Sequence, residues 1–246
     1  MEPFSIFPVK TRIFNVNEHI AEFIVQSVPK KLVQEKMVLA ITSKIVSLAE
    51  GRLVKAEDVP DKKALIRQEA DHYLGELNYG SLLTIKHGLL VPSAGIDESN
   101  SENGDYILYP VDPYLSAEKI WKNLRNAWGV KELGVILTDS RTGPLRRGVT
   151  GVSLSYFGFR GVRNMVGQED LFGRPLRMTQ VNLADSLATS AVMMMGEGNE
   201  ATPLAVIKGA PIEFSEISRP EELQMSLEDD MYLSLIHISE PTRPLY

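Results

Sequence analysis

Three short apolar runs set the strongest limit on what this chain can become: residues 37–41 (Met-Val-Leu-Ala-Ile), 133–138 and 204–207. Each is far shorter than the roughly 20 apolar residues that span a bilayer. Runs of four to six such residues read as buried strands. Between them the spacing turns helical. Glu18 to Val28 puts Ile20, Phe23, Ile24 and Val28 on one side, and Ser116 to Trp128 repeats Ile120, Leu124 and Trp128. Thr179 to Met195 carries Val181, Ala184, Leu187, Ala188, Ala191, Val192 and Met195 on a wide apolar stripe. Ser5 to Val9 predicts a short strand. Leu82 to Ile85 and Leu89 to Val91 flank Lys86-His87-Gly88 as a hairpin. Tyr106 to Tyr109 follows an Asn103-Gly104 turn, and residues 143–161 read as strand. Asp58-Val59-Pro60 predicts the start of a polar helix running to about Tyr73. Strands and helices mix without regular alternation, which predicts an α+β, irregular mixed α/β fold.

The bulk numbers narrow the function. A chain of 246 residues suffices for one large domain or two small ones, with a sizeable core. A net charge of −6 argues against a dedicated nucleic-acid binder, which presents a basic face to phosphates. The absence of cysteine excludes disulfides, thiolate zinc sites and cysteine nucleophiles, and fits a reducing cytoplasm. The amino terminus shows no basic-then-apolar leader. These features predict a cytoplasmic protein with no membrane partner. Residues 233–246 have no periodicity and resemble a translated sequencing-adapter run; they are expected to be a non-native tail in place of the true carboxyl terminus.

Several common chemistries are missing. There is no G-x-x-x-x-G-K-[ST] loop, no convincing G-x-G-x-x-G after a strand, no H-E-x-x-H and no G-x-S-x-G elbow. His19, His72, His87 and His237 are scattered, and His87 beside a hairpin glycine reads as a turn residue.

What remains is acidic. Gly95-Ile96-Asp97-Glu98-Ser99-Asn100 places two acids, a hydroxyl and an amide in four consecutive positions after the apolar segment ending at Val91-Pro92. Such a loop suits a hard cation, which takes one or two carboxylates and leaves room for phosphate oxygens. It equally suits a turn held by Asx-type hydrogen bonds. Asp139-Ser140 ends the 133–138 run and reads as a second acid-hydroxyl pair, or as a cap. The glycine-bounded basic loop Arg141-Thr142-Gly143-Pro144-Leu145-Arg146-Arg147-Gly148 follows it. Carboxylates beside arginines are the parts needed to hold a nucleoside triphosphate, although clustered arginines are often only solvated charge. The run 195–202, Met-Gly-Glu-Gly-Asn-Glu-Ala-Thr, ends the long helix; its glycines either cap that helix in a left-handed conformation or let N–H groups approach phosphate. Lys44, after the strand ending at Ile41, and Lys10, after the first strand, meet a phosphate or are solvated.

These pieces, in this order, resemble the coenzyme F420-0:γ-glutamyl ligase family. The resemblance rests on Pro8-Val9-Lys10, on Thr42 to Val46 with Ala49-Glu50-Gly51-Arg52, and on Pro92 to Asn100. It continues through Thr138-Asp139, Arg146, Phe172 to Leu176 with Thr179, Ala184-Asp185, Met195-Gly196-Glu197 and Pro203 to Gly209. It implies one γ-glutamyl ligase-like domain over residues 1–232, or two intertwined subdomains there, within an intertwined homodimer. The implied activity is a GTP- or ATP-dependent amide ligation of L-glutamate onto an acceptor carboxylate, with Mg²⁺ or Mn²⁺ and help from K⁺. By the same resemblance Asp97, Asp139, Ser140 and Glu197 are metal positions and Asn100 is a nucleotide contact. Pro8, Val9, Lys10, Ser43, Lys44, Met195, Gly196, Gly198, Asn199, Glu200 and Thr202 fall in nucleotide-contacting segments.

The chain departs from the family in reading Thr138 to Arg146 as Thr-Asp-Ser-Arg-Thr-Gly-Pro-Leu-Arg, where members read Thr-Asp-Thr-Phe-Gly-Arg-Pro-Trp-Arg. Leu48 stands where many carry lysine. This places it nearer the bacterial branch described as folate-metabolism γ-glutamate ligases, so a folate-like acceptor is the leading expectation. F420-0 is the alternative, and a non-catalytic nucleotide-binding protein the rival of another class. Arg146 or Arg147 is expected to steady the transferred phosphoryl group or a glutamate carboxylate. Glu98 is a weak candidate for the base.

Overall fold

The structure, a computed structural model, describes residues 3–77, 80–101, 103–217 and 220–232. In chain order the strands are β1 Ser5–Val9, β2 Met37–Thr42, β3 Leu53–Val54, β4 His72–Glu76, β5 Leu82–Lys86, β6 Leu89–Pro92, β7 Tyr106–Ile107, β8 Leu133–Thr142, β9 Val149–Phe157, β10 Val162–Asn164, β11 Gln180–Asn182 and β12 Leu204–Lys208. The helices are α1 Ile20–Ser27, α2 Ser43–Ala49, α3 Lys62–Glu69, α4 Pro113–Trp128, α5 Leu183–Met195 and α6 Pro220–Leu223. This is a mixed α/β architecture, as the sequence pattern predicts. The suspected tail, with His237, lies outside the described residues.

The three apolar runs become neighbours in one five-stranded sheet of order β1-β12-β2-β8-β9. β2 and β8 pair in parallel and the other pairs are antiparallel. Period-two alternation decides what each face meets. Met37, Leu39, Ile41, Leu133, Val135, Leu137, Leu204 and Val206 pack with α1 and α4 residues such as Phe23, Ile24, Trp121 and Leu124. Val38, Ala40, Ile136, Ala205 and Ile207 face α5, which answers with Ala184, Leu187, Ala188 and Ala191. The small residues let α5 approach closely. A Cβ added at Gly151 of β9 would stand 2.7 Å from the Ala188 carbonyl, so the helix rests on the strand backbone there.

Local chemistry fixes the helix ends. The Asp112 side chain accepts from Leu115 N at 2.9 Å to start α4, Pro113 fills the first turn, and Gly129 ends it in the left-handed conformation. The start expected at Asp58–Pro60 moves. Asp61 caps α3 by accepting from Lys63 N at 2.8 Å, and the chain beyond Ala70 enters β4, taking Tyr73 out of the helix. α5 begins later than expected, at Leu183, because residues 180–182 pair with β10 and the Asn182 side chain caps the helix. Val181 therefore leaves the buried stripe. Only Tyr106–Ile107 of the expected 106–109 strand pairs, with β3.

A small sheet, β4-β5-β6, sits beside the main one. Its β5–β6 turn is His87-Gly88, both at positive φ (51° and 73°), the geometry of a two-residue primed turn. Ile66, Leu82, Ala94, Ile96 and Leu108 form its own apolar cluster. Fully buried Thr84 locks the exit from β6: its hydroxyl donates to Val91 O at 2.6 Å and accepts from Ala94 N at 2.8 Å. Thr84→Val keeps the shape, orphans the buried Ala94 N–H and removes the side-chain donor to Val91 O, which keeps its ladder partner. It should lower the unfolding free energy by about 1–3 kcal/mol in urea titrations, the scale of one buried donor left unpaired.

Candidate functional site at one edge of the sheet

The register of the main sheet brings the sequence-predicted segments together. Val9 pairs with Leu204, Leu204 with Ile41, and Thr42 with Thr138. The ends of β1, β2 and the buried half of β8 therefore lie in one row with the start of β12. Lys10, Ser43-Lys44, Asp139-Ser140 and the 196–203 loop all leave from that row. Thr42 N donates to Pro203 O at 3.0 Å and Thr11 N to Ala201 O at 2.9 Å, tying these exits together.

The acidic loop reaches the row on an unusual piece of backbone. Ser93, Ala94 and Gly95 all have positive φ (54°, 53° and 70°), a left-handed turn that costs roughly 1–2 kcal/mol for each residue with a Cβ. Position 95 tolerates only glycine, since an added Cβ would lie 2.1 Å from the Tyr109 ring. Ile96 is buried, and Asp97 exchanges backbone hydrogen bonds with Ile107 at 3.0 and 2.8 Å. The Asp97 carboxylate accepts from Ser99 N at 2.6 Å, the Asx turn that the sequence left open. Its other oxygen faces the Lys44 ammonium at 2.7 Å, and Lys44 also donates to Ser99 Oγ at 2.9 Å. Burial opposes the charge on Asp97, but Lys44 and the Ser99 N–H outweigh it and hold the carboxyl below its ordinary range. Asn100, itself left-handed, points its amide at Gly198 O at 3.5 Å. Glu98 turns away to pair with Lys62, which removes it as a free base in this conformation.

Asp139 is in a different environment. β8 does not end at Thr138; it runs to Thr142, with Asp139, Ser140 and Arg141 paired to Val152, Gly151 and Thr150 of β9. The acid-hydroxyl pair is thus strand, not loop, because the outer half of β8 needs only one neighbour and no apolar side chains. Burial pushes the Asp139 carboxyl up to about 6, and nearby Asp97 adds to the rise. Hydrogen bonds from Tyr109 OH and Ser140 N–H and the Lys44 charge pull the other way. Tyr109 is a donor here, its own proton held by burial and by the Asp139 charge. The ring lies on Gly95 while its hydroxyl reaches Asp139, so one side chain spaces the two acids. Sequence reading missed it, since a tyrosine after a short strand carries no distinguishing signal.

Ser140 Oγ donates to Glu197 Oε1 at 2.6 Å, bringing the fourth expected metal position to the third. The 195–202 loop closes on itself: Gly198 N donates to Glu200 at 2.8 Å and Thr202 Oγ1 to Met195 O. Gly196, at φ 85° and ψ 168°, occupies a region that glycine alone enters readily, rather than the left-handed cap expected of it. Met195 is buried under this loop, whereas Lys10 and Asn199 are exposed. Arg146 and Arg147 do not join the acids. They are exposed at the β8–β9 tip, and neither guanidinium has a hydrogen-bond or ion-pair partner among the described residues.

Among the described residues no three His, Asp or Glu side chains converge to hold a metal ion unaided. The donor set nevertheless fits a hard cation shared with phosphate. Asp97 is already balanced by an ammonium, and Asp139 is a half-buried acid, its proton affinity held up by desolvation, whose charge a cation would restore.

Relatives of the chain are ligases that form carbon–nitrogen bonds, and this enzyme is of that class. The family model for F420-0:gamma-glutamyl ligase matches residues 8–209, and the chain belongs to that family. It is 33% identical over 221 residues to the coenzyme F420:L-glutamate ligase of Methanopyrus kandleri, covering 83% of this chain and 86% of the relative. To that of Archaeoglobus fulgidus it is 32% identical over 239 residues, with 89% and 94% covered. To that of Methanothermobacter thermautotrophicus it is 36% identical over 190 residues, with 71% and 75% covered.

In the metal-free protein the Asp139 carboxyl should titrate near 6 in carboxyl-detected NMR. Tyr109→Phe removes a bond that favours the charged form and should move that midpoint upward. Because wild-type Asp139 holds a proton between about 4 and 6 that an unfolded aspartate has lost, stability falls as pH rises through that window.

Proposed function

We propose that this enzyme joins the amine of L-glutamate to the carboxylate of F420-0, using GTP to activate the acid. The observation that carries the reading is the gathering of Asp97, Asp139, Ser140 and Glu197 beside the glycine-bearing 196–202 loop at one sheet edge. The sequence favoured a folate-like acceptor. Relatives that carry F420 in their names support the deazaflavin acceptor instead. A cytoplasmic setting belongs to the same proposal. No helix among the described residues is long and apolar enough to cross a membrane.

A carboxylate does not condense with an amine unaided, because its oxygen is a poor leaving group. Transfer of the terminal phosphoryl to that oxygen gives an acyl phosphate and releases the nucleoside diphosphate. The amine then attacks the carbonyl carbon, the carbon–oxygen bond breaks, phosphate departs, and the nitrogen loses a proton. Mg²⁺ or Mn²⁺, when bound, offsets the phosphate charge. Asp97 and Asp139 are the residues to hold it, with Ser140 and Glu197 beside them; K⁺ would assist. Lys44, released from Asp97, is placed to meet a phosphate. Asn100 and the 196–202 backbone would orient the nucleotide, with Pro8 and Lys10 along its edge; Val9 and Ser43 are buried and would offer only their backbone.

A homodimer is part of the proposal. Leu145 at the β8–β9 tip and Leu171, Phe172 and Met178 between β10 and β11 are large apolar side chains almost wholly exposed in the single chain. A second copy covering them would explain why they are not polar. Sedimentation should give a dimer, and Phe172→Glu should shift it toward monomer.

The central test is phosphate release that requires L-glutamate and F420-0 together, with mass spectrometry of the product. Asp97→Asn should cut turnover by at least about 100-fold, the scale of losing one group that stabilises developing charge. Ligation onto tetrahydrofolate but not F420-0 would overturn the acceptor assignment.

A further inference from the structure

A cleft of about 410 Å³ opens between the β5–β6 turn, the outer edge of β9, the start of α5 and residues 223–227. Arg141 is on its wall. It lies two residues beyond Asp139 on β8, so strand alternation puts both side chains on the same face about 7 Å apart. Arg141 as a residue is half-exposed, and among the described residues its guanidinium has no hydrogen-bond or ion-pair partner.

Three carboxylates share the cleft, and each is engaged elsewhere. Asp71 accepts from Lys86 Nζ at 3.3 Å and His87 N at 2.6 Å. Asp185 accepts from Ser153 N at 2.9 Å and Asn182 Nδ2 at 2.7 Å. Asp230 accepts from Tyr232 N at 2.8 Å. A planar carboxylate meets an unpaired guanidinium through two parallel hydrogen bonds. Ile85, Leu89 and Leu154 give the same cleft an apolar wall suited to the carbon body of a substrate.

We propose that Arg141 is the carboxylate clamp of this cleft, holding a substrate carboxylate other than the one that reacts. The proposal deepens the ligase reading and rests on it for the identity of the substrates. Two sources share the required chemistry: L-glutamate and the acceptor. Direct binding distinguishes them. L-Glutamate, F420-0 and GTP are each titrated calorimetrically, in the presence of Mg²⁺, into the full chain and into Arg141→Met and Arg141→Lys.

The expected result is that Arg141→Met weakens one of the two carboxylate substrates by about tenfold or more, the scale of losing a charge-assisted pair. Arg141→Lys should recover part of that loss, and GTP affinity should stay unchanged in both variants, which also shows that they fold. The substrate that weakens is the one held. Wild-type affinity for both substrates in Arg141→Met overturns the clamp, and so does a wild-type chain that binds neither. Binding that depends on Arg141 without amide formation leaves the clamp standing and sinks the ligase reading instead.

Discussion

The parallel pairing of β2 with β8 is the constraint on which the rest of the molecule depends. These strands are buried on both faces, and neither is joined to the other by a short connection. Their register, pinned where Thr138 Oγ1 donates to Ile41 O at 3.3 Å, decides where Lys44 stands relative to Asp139. A slip of one residue would turn every side chain to the opposite face and carry Asp139 to the α5 side. Apolar packing of Leu39, Ile41, Val135 and Leu137 thus positions a charged site that none of those residues touches.

The charges differ in kind because their surroundings differ. Asp97 sits on a loop with an ammonium in contact and stays ionised easily. Asp139 is on a strand, packed under Tyr109, and ionises reluctantly. Two acids of one type have been given unequal affinities for a proton by the walls around them. A site of this sort is poised for a positive partner, since the energy withheld by burial is returned when a cation arrives.

The fold was readable where one periodicity dominates. The runs at 37–41, 133–138 and 204–207 are apolar at every position or nearly so, and all three are core strands. The elements that escaped reading owe their form to partners far away in sequence. β11 is three exposed residues that only β10 makes into a strand, and β4 depends on β5. At the site, Asp97, Asp139, Ser140 and Glu197 could be picked out as residue types and do converge. Arg146 and Arg147 could not be separated from Arg141 by sequence, because all three lie in one basic run; only the length of β8 tells a strand residue from a hairpin tip. Tyr109 was invisible for a related reason, its role being a contact with Gly95 and Asp139 at once.

The left-handed turn at Ser93, Ala94 and Gly95 has a consequence for how such a site can change. It places the acidic loop through backbone shape, with Thr84 below and Tyr109 above, rather than through the loop's own polar side chains. Glu98 and Ser99 can then be exchanged for other groups while the main chain keeps its path. Address and content are written in separate residues, so the chemistry of the loop is open to revision without rebuilding the frame that delivers it.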